Sequence, residues 1–322
     1  MAGRPAAGAP GPYEHTGCMG ELRVRGLGRR VFASGSNVTA VGNQLVLQHN
    51  SGASITTSCG ERDVWDPYGF QSFNVLGMVL TFTVDLSRVG CGCNLAFYLV
   101  QEPALDDMGV PSRGTCAASP YYCDANRVCG QWCPELDIME ANTHAFVATP
   151  HTCDVPSTPR FANCDRAGRG RNTKDMGNAY GPGAGHTIDT TRPFQVRTTF
   201  RGRPSSTDPG AARFLGMTTE LLQGGASLAV ESRADAKYLG ALAPSMNAGL
   251  ALRMSYWGDT PEMMSWMDSP PCGSQRCFGA NAGPATISDL TVHPIGQPVP
   301  PPVRATEAPP VAPPVAPPVA PP

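Results

Sequence analysis

The decapeptide Cys133-Pro-Glu-Leu-Asp-Ile-Met-Glu-Ala-Asn142 packs three carboxylates, Glu135, Asp137 and Glu140, into six residues. Leu136, Ile138 and Met139 fill the gaps, and apolar residues alternating with acids predict a half-buried β-strand. Side chains two apart on a strand share a face, so Glu135 and Asp137 point the same way and Glu140 points the other. A β-bulge between Asp137 and Glu140 would add one residue, re-aim Glu140 and line one groove with all three acids. Two carboxylates about 5–5.5 Å apart suit retaining glycoside hydrolysis: one attacks the sugar carbon while the other protonates the leaving oxygen. The third acid can hold a proton or a hydrogen bond that keeps the nucleophile ionised beside a protonated neighbour. The same three acids on an exposed strand would merely face solvent, and the bare E-x-D-x-x-E pattern by itself favours that reading.

Outward from this strand, the chain of 322 residues is long enough for one large β-domain with a sizeable core. Thirty-six Gly and 33 Pro suit a loop-rich β protein. The formal net charge of −2 gives no reason to expect nucleic acid or an anionic membrane as partner, and no apolar run is long enough to cross a bilayer. Twelve Cys without paired C-x-x-C metal spacing read as disulfides, hence an oxidising compartment. The first ten residues carry no apolar leader, so the secreted reading calls for further sequence upstream. Asn37-Val38-Thr39 is an N-glycosylation triplet, meaningful only in a secreted chain.

Residues 1–20 read as a loose Gly/Pro/Ala arm and residues 298–322 as an extended Pro/Ala/Val-rich tail, which leaves 21–297 as the folded domain. Leu22 to Phe32, Asn43–Gln48, Phe73–Leu86, Asn94–Val100, Thr187–Phe200, Ser227–Glu231, Gly249–Trp257 and Ala285–Gly296 carry strand patterns. Many strands, few helical patterns and Gly/Pro turns predict an all-β antiparallel sandwich. The segment 154–180 gathers Arg160, Arg166, Arg169, Arg171 and Lys174. The cluster is short and lacks interleaved aromatics, so it reads as a polar loop rather than a nucleic-acid surface.

The decapeptide resembles the catalytic strand of glycoside hydrolase family 7, whose signature runs roughly C-x-E-M-D-I-W-E-A-N and then T-P-H-x-C. Here Thr149-Pro150-His151-Thr152-Cys153 follows. The resemblance implies Glu135 as nucleophile, Asp137 as its partner, Glu140 as acid/base and His151 as a leaving-side subsite residue. Met139 stands where the family has Trp; it should point away from the groove and change packing rather than chemistry. Asn94 and Tyr98 fall where the family contacts sugar. Tyr122-Cys123-Asp124 resembles the family's Y-C-D and implies Asp124 near the acid/base, with Cys123–Cys133 as the implied disulfide and no family partner for Cys116 or Cys129. Leu250–Trp257 and Met263–Ser269 resemble M-V-L-V-M-S-L-W and M-L-W-L-D-S, which makes Trp257 and Trp266 glucosyl-stacking residues. The alternative is two core tryptophans, but weak hydrophobic periodicity around Trp266 argues against that one being core. Arg276 matches more weakly a family arginine near the leaving side.

The resemblance runs from about residue 20 to 297 and implies a concanavalin-like jelly-roll sandwich with a concave substrate-binding sheet and long loops. It implies a retaining β-1,4-glucanase (a cellulase) acting on cellulose or a related β-glucan, as a secreted monomer with no metal or organic cofactor. Segments that close a tunnel in the family are shortened here, so an open, endo-acting cleft is expected. Two rival readings are a β-1,3 or mixed-linkage glucanase and a non-catalytic glycan-binding wall protein.

Overall fold

A computed structural model describes residues 17–61, 64–117, 119–154 and 158–299. The early strands are β1 (Cys18–Leu22), β2 (Val31–Val41), β3 (Gln44–Thr56), β4 (Ser72–Phe73), β5 (Met78–Asp85) and β6 (Cys93–Val100). The middle strands are β7 (Glu135–Ala141), β8 (Phe146–His151), β9 (Arg171–Asn172), β10 (Tyr180–Gly181), β11 (Ile188–Asp189) and β12 (Phe194–Arg203). The chain closes with β13 (Arg213–Gln223), β14 (Ala226–Glu231), β15 (Leu250–Gly258) and β16 (Ala285–Pro294). Three short helices, α1 (Ala236–Gly240), α2 (Ala243–Ala248) and α3 (Pro261–Asp268), lie around β15 in sequence.

Fourteen strands form one antiparallel sheet in the order β14-β13-β12-β5-β16-β3-β15-β6-β7-β8-β9, with β2 also on β3, β1 on β2 and β4 on β15. Strand β3 is the corner. Its first residues, Gln44 to Leu47, pair with β16, and Ser51 to Ser54 pair with β15. The sheet thereby folds on itself into the two layers of the expected sandwich. Between them Phe82 of β5 meets Phe97 of β6 at 4.3 Å between ring centroids, and Val196, Phe200, Leu252, Met254 and Tyr256 join the same core. Each fully buried Phe is worth about 1.5–3 kcal/mol relative to exposure.

Two sequence expectations need correcting at their edges. The first strand starts at Cys18, inside the arm expected over 1–20, because Cys18 is tied to Cys59 and β1 pairs with β2. The strand expected over Leu22 to Phe32 is interrupted at 23–30, where Arg23 to Arg30 leave the ladder. Residues 1–16 of the arm and 300–322 of the tail lie outside the described residues.

Period-two alternation on β6 sends Leu95, Phe97 and Leu99 into the main core and Asn94, Ala96, Tyr98 and Val100 to the concave face. Over that face folds the segment 101–133. It adds a second small core in which Tyr122, Cys123, Cys129 and Cys133 cover Ala96, Tyr98 and Val100. Cys116–Cys129 and Cys123–Cys133 staple the segment. The second pair is the one the resemblance implied, and the first joins the two cysteines left over.

Candidate active site

The bulge falls where the acid spacing required it. Strand β7 pairs Asp137 with Tyr98 but Met139 with Phe97, and on its other side Asp137 with Thr149 but Glu140 with Val147. Ile138 is the extra residue. Leu136, Ile138, Met139 and Ala141 all enter the main core, so Glu135, Asp137 and Glu140 share the concave face. Met139 is fully buried there, pointing away from the groove as expected.

Each carboxylate is held by a donor from a different element. Glu135 Oε2 accepts the backbone N–H of Ala125 at 3.0 Å, from the stapled segment. Glu140 Oε1 accepts from Asn94 Nδ2 at 3.0 Å, across from β6. Asp137 Oδ2 lies 2.9 Å from His151 Nε2. The other ring nitrogen, Nδ1, is 2.8 Å from the carbonyl oxygen of Asp165. A carbonyl can only accept, so Nδ1 carries hydrogen, and the Nε2···Oδ2 contact needs one further proton shared between His151 and Asp137. Gly168 lets this happen: at φ +62° its backbone passes so close to His151 that a Cβ would lie 2.7 Å from Cε1.

Ligand atoms of Glu135, Asp137 and His151 lie within 4.8 Å of one another, a spacing that could also hold a divalent cation. Both ring nitrogens of His151 are already engaged, so a cation would have to displace the Asp137 contact. A second cluster, Cys91, His144 and Cys272, has its two sulfurs joined in a disulfide and offers no thiolate.

The other expected site residues divide. Trp257, at the end of β15 opposite Asn94, and Trp266, on α3, are half-buried and flank the cluster of Ala145, Val147, Met264 and Met267. Their partly open indoles remain suited to stacking on a pyranose. Tyr98 lies on the groove face but is largely covered, and its hydroxyl is 3.1 Å from that of Tyr122; burial pushes its phenol well above the usual range.

Three further expected residues are placed as follows. His151 is fully buried, with one ring nitrogen on Asp137 and the other on the Asp165 carbonyl. Asp124 sits at the Glu135 end of the row, not beside Glu140. Its Oδ1 accepts from the N–H groups of Asn126 and Val128, forming the turn that aims Ala125 at Glu135. Arg276 is exposed and ion-paired with Asp259 on the loop after Trp257.

The sequence reading missed Arg253, the charged residue in the apolar run Leu250-Ala-Leu-Arg-Met-Ser-Tyr-Trp257. On β15 it pairs with Tyr98 and Ser54 and faces the concave side. Its Nη1 donates to Ser54 Oγ at 2.6 Å and its Nη2 to Ser119 Oγ at 2.9 Å; Nη2 is also 2.8 Å from Glu102 Oε1. The guanidinium carbon lies 4.6 Å from the Tyr122 ring centroid. Arg253 thus joins the floor of the groove to the segment above it. Glu102 is wholly buried and Oε2 has no hydrogen-bond partner among the described residues. Burial outweighs the attraction of Arg253 and pushes the Glu102 carboxyl up to about 7.

The model of glycosyl hydrolase family 7 matches residues 124–234, the span from the Ala125 turn through β7, β8 and the Asp165 loop. The endoglucanase EG-1 of Hypocrea jecorina is 30% identical over 289 residues, covering 80% of this chain and 58% of that protein. The family model and this relative support glycosyl hydrolase family 7 for the chain. A probable endo-beta-1,4-glucanase celB of Aspergillus clavatus is 28% identical over 263 residues, 70% of this chain and 62% of that one. The chain spans about three-fifths of the length of these curated relatives. Among solved structures, an endoglucanase I complexed with cellobiose superposes with a TM-score of 0.62 at 22% identity, covering 81% of this chain and 78% of that one. A family 7 cellobiohydrolase from Daphnia pulex gives 0.61 at 21%, with 81% of each chain covered. These likenesses bear out the β-sandwich jelly roll.

Proposed function

We propose that the protein is a retaining glycoside hydrolase that cleaves β-1,4-glucosidic bonds in cellulose or a related β-glucan. One observation carries the reading: the bulge at Ile138 turns Glu140 onto the face of Glu135 and Asp137, and a separate donor holds each acid. Glu135 attacks the anomeric carbon, and the Ala125 N–H supports the negative charge its carboxylate needs. Asn94 fixes Oε1 of Glu140, which leaves Oε2 to carry the proton delivered to the leaving oxygen. Glu140 then deprotonates a water that opens the glycosyl-enzyme ester, so two inversions return the original configuration. The proton shared by Asp137 and His151 holds the Asp137 carboxyl in a fixed orientation beside the nucleophile. Trp257 and Trp266, packed on one cluster at the Glu140 end of the row, supply flat surfaces for sugar.

Internal cleavage is supported by the names of the endoglucanase relatives. Six disulfides among the described residues support a secreted protein. The test is reducing-end release from amorphous cellulose by wild type and by Glu135→Gln. We expect turnover by wild type and a loss of at least about 10⁴-fold in the variant, with melting unchanged. Equal activity in both, or none in wild type, would sink the assignment.

A further inference from the structure

Beside the carboxylate row, on the β8–β9 flank, lies an open cavity of about 340 Å³. Its floor is Val147 and Thr149, the groove-face partners of Glu140 and Asp137. Trp266 forms one wall. Arg169 and Arg233 reach into it from two loops joined by a backbone hydrogen bond, Arg233 N to Arg169 O at 2.9 Å. Both side chains are 60% exposed, so their guanidiniums stand in solvent at the rim.

Neither guanidinium is tightly matched by an acid, although Arg169 also lies 5.4 Å from the Tyr238 ring centroid. Arg169 Nε is 3.9 Å from Asp165 Oδ2, whose oxygen already accepts the Tyr238 hydroxyl at 2.8 Å. Arg233 Nη2 is 3.6 Å from Asp175 Oδ2. Both separations exceed hydrogen-bond length, so each planar fork keeps N–H groups for a ligand. Asp175 is also in the cavity wall and would repel an anion, but the two arginines outnumber it. The surroundings are basic in a chain of net charge −2: positions 160–175 hold five Arg and Lys against two Asp. A neutral glucan has hydroxyls, which any polar side chain can serve. A pair of open guanidiniums next to an indole matches a sugar bearing a carboxylate, the ring on the indole and the carboxylate on the forks.

We propose that this cavity is a subsite for an acidic sugar residue: a uronate within a glucan, or a chain end oxidised to an aldonate. The inference rests on the glycanase reading above but is tested by binding alone. Calorimetric titration of the full chain carrying Glu135→Gln would compare cellobiose, cellobionate and a glucuronate-containing β-linked disaccharide. One or both acids should bind about tenfold tighter than cellobiose, and which one does so names the source. The advantage should fall below about twofold after Arg169→Gln with Arg233→Gln, and should shrink with added salt. Equal affinity for acid and neutral sugars, no binding of any of the three, or an acid preference that survives the double substitution would each overturn the proposal. A wild type that hydrolyses no glucan but shows this acid preference would refute the glucanase reading and leave the subsite standing.

Discussion

The two flanks of strand β7 use arginine in opposite ways. On the β6–β15 flank, Arg253 is 5% exposed and fully enclosed by Glu102, Ser54, Ser119 and the Tyr122 ring. On the β8–β9 flank, Arg169 and Arg233 stand in solvent with acids near but out of hydrogen-bond reach. The first flank is covered by a segment with two disulfides and three non-glycine residues at positive φ, Tyr121, Arg127 and Cys129. Such conformations cost of order 1–3 kcal/mol each and persist only where the surroundings hold them. What they secure here is the position of the Ala125 N–H on Glu135. One flank is built to be rigid and hold the nucleophile; the other is left open to ligand.

The widest contrast should come from stability. Arg253→Ala leaves Glu102 buried without its cation and should cost about 3–5 kcal/mol in urea unfolding, while Arg233→Ala should stay within about 0.5 kcal/mol. Replacing both members of the buried pair, Arg253→Met with Glu102→Leu, should recover most of the loss. An Arg253→Ala protein as stable as the Arg233→Ala one would erase the distinction between the flanks.

A smaller effect follows from Glu102 itself. Its carboxyl titrates at about 7 in the fold against 4.5 in the reference state, so ionising it is harder in the folded chain than in the unfolded one. The unfolded chain releases that proton first as pH rises. Stability should therefore fall between about pH 4.5 and pH 7, by roughly 3 kcal/mol if this group acts alone, and level off above. Glu102→Gln should flatten this slope. An unchanged slope in that variant would mean that the buried pair does not govern the flank's pH response.

Which features the sequence could disclose follows from how local each one is. The bulge was legible because three acids and four apolar residues of one heptapeptide cannot otherwise all be satisfied, and the structure puts the extra residue at Ile138. The antiparallel sandwich was legible from strand alternation, whereas the jelly roll and Cys123–Cys133 came from the family resemblance. His151 and Asn94 were recognised as site residues, yet their roles depend on the Asp165 carbonyl and on the pairing of β6 with β7, neither of which is local. Arg253 could have been flagged as a lone charge in an apolar strand. Its partners Ser54, Glu102 and Ser119 are distant in sequence, so nothing near it announced a buried ion pair. The basic segment at 160–175 read as a polar loop because its meaning depends on Arg233 and Trp266 arriving from elsewhere.

The most direct test of the central claim is to trap the covalent intermediate. An activated 2-deoxy-2-fluoro-cellobioside slows breakdown of the glycosyl enzyme more than its formation, and peptide mass spectrometry then locates the ester. The account predicts one label per chain, on Glu135. A label on Glu140 or Asp137, or release of product with inverted configuration and no label at all, would contradict it.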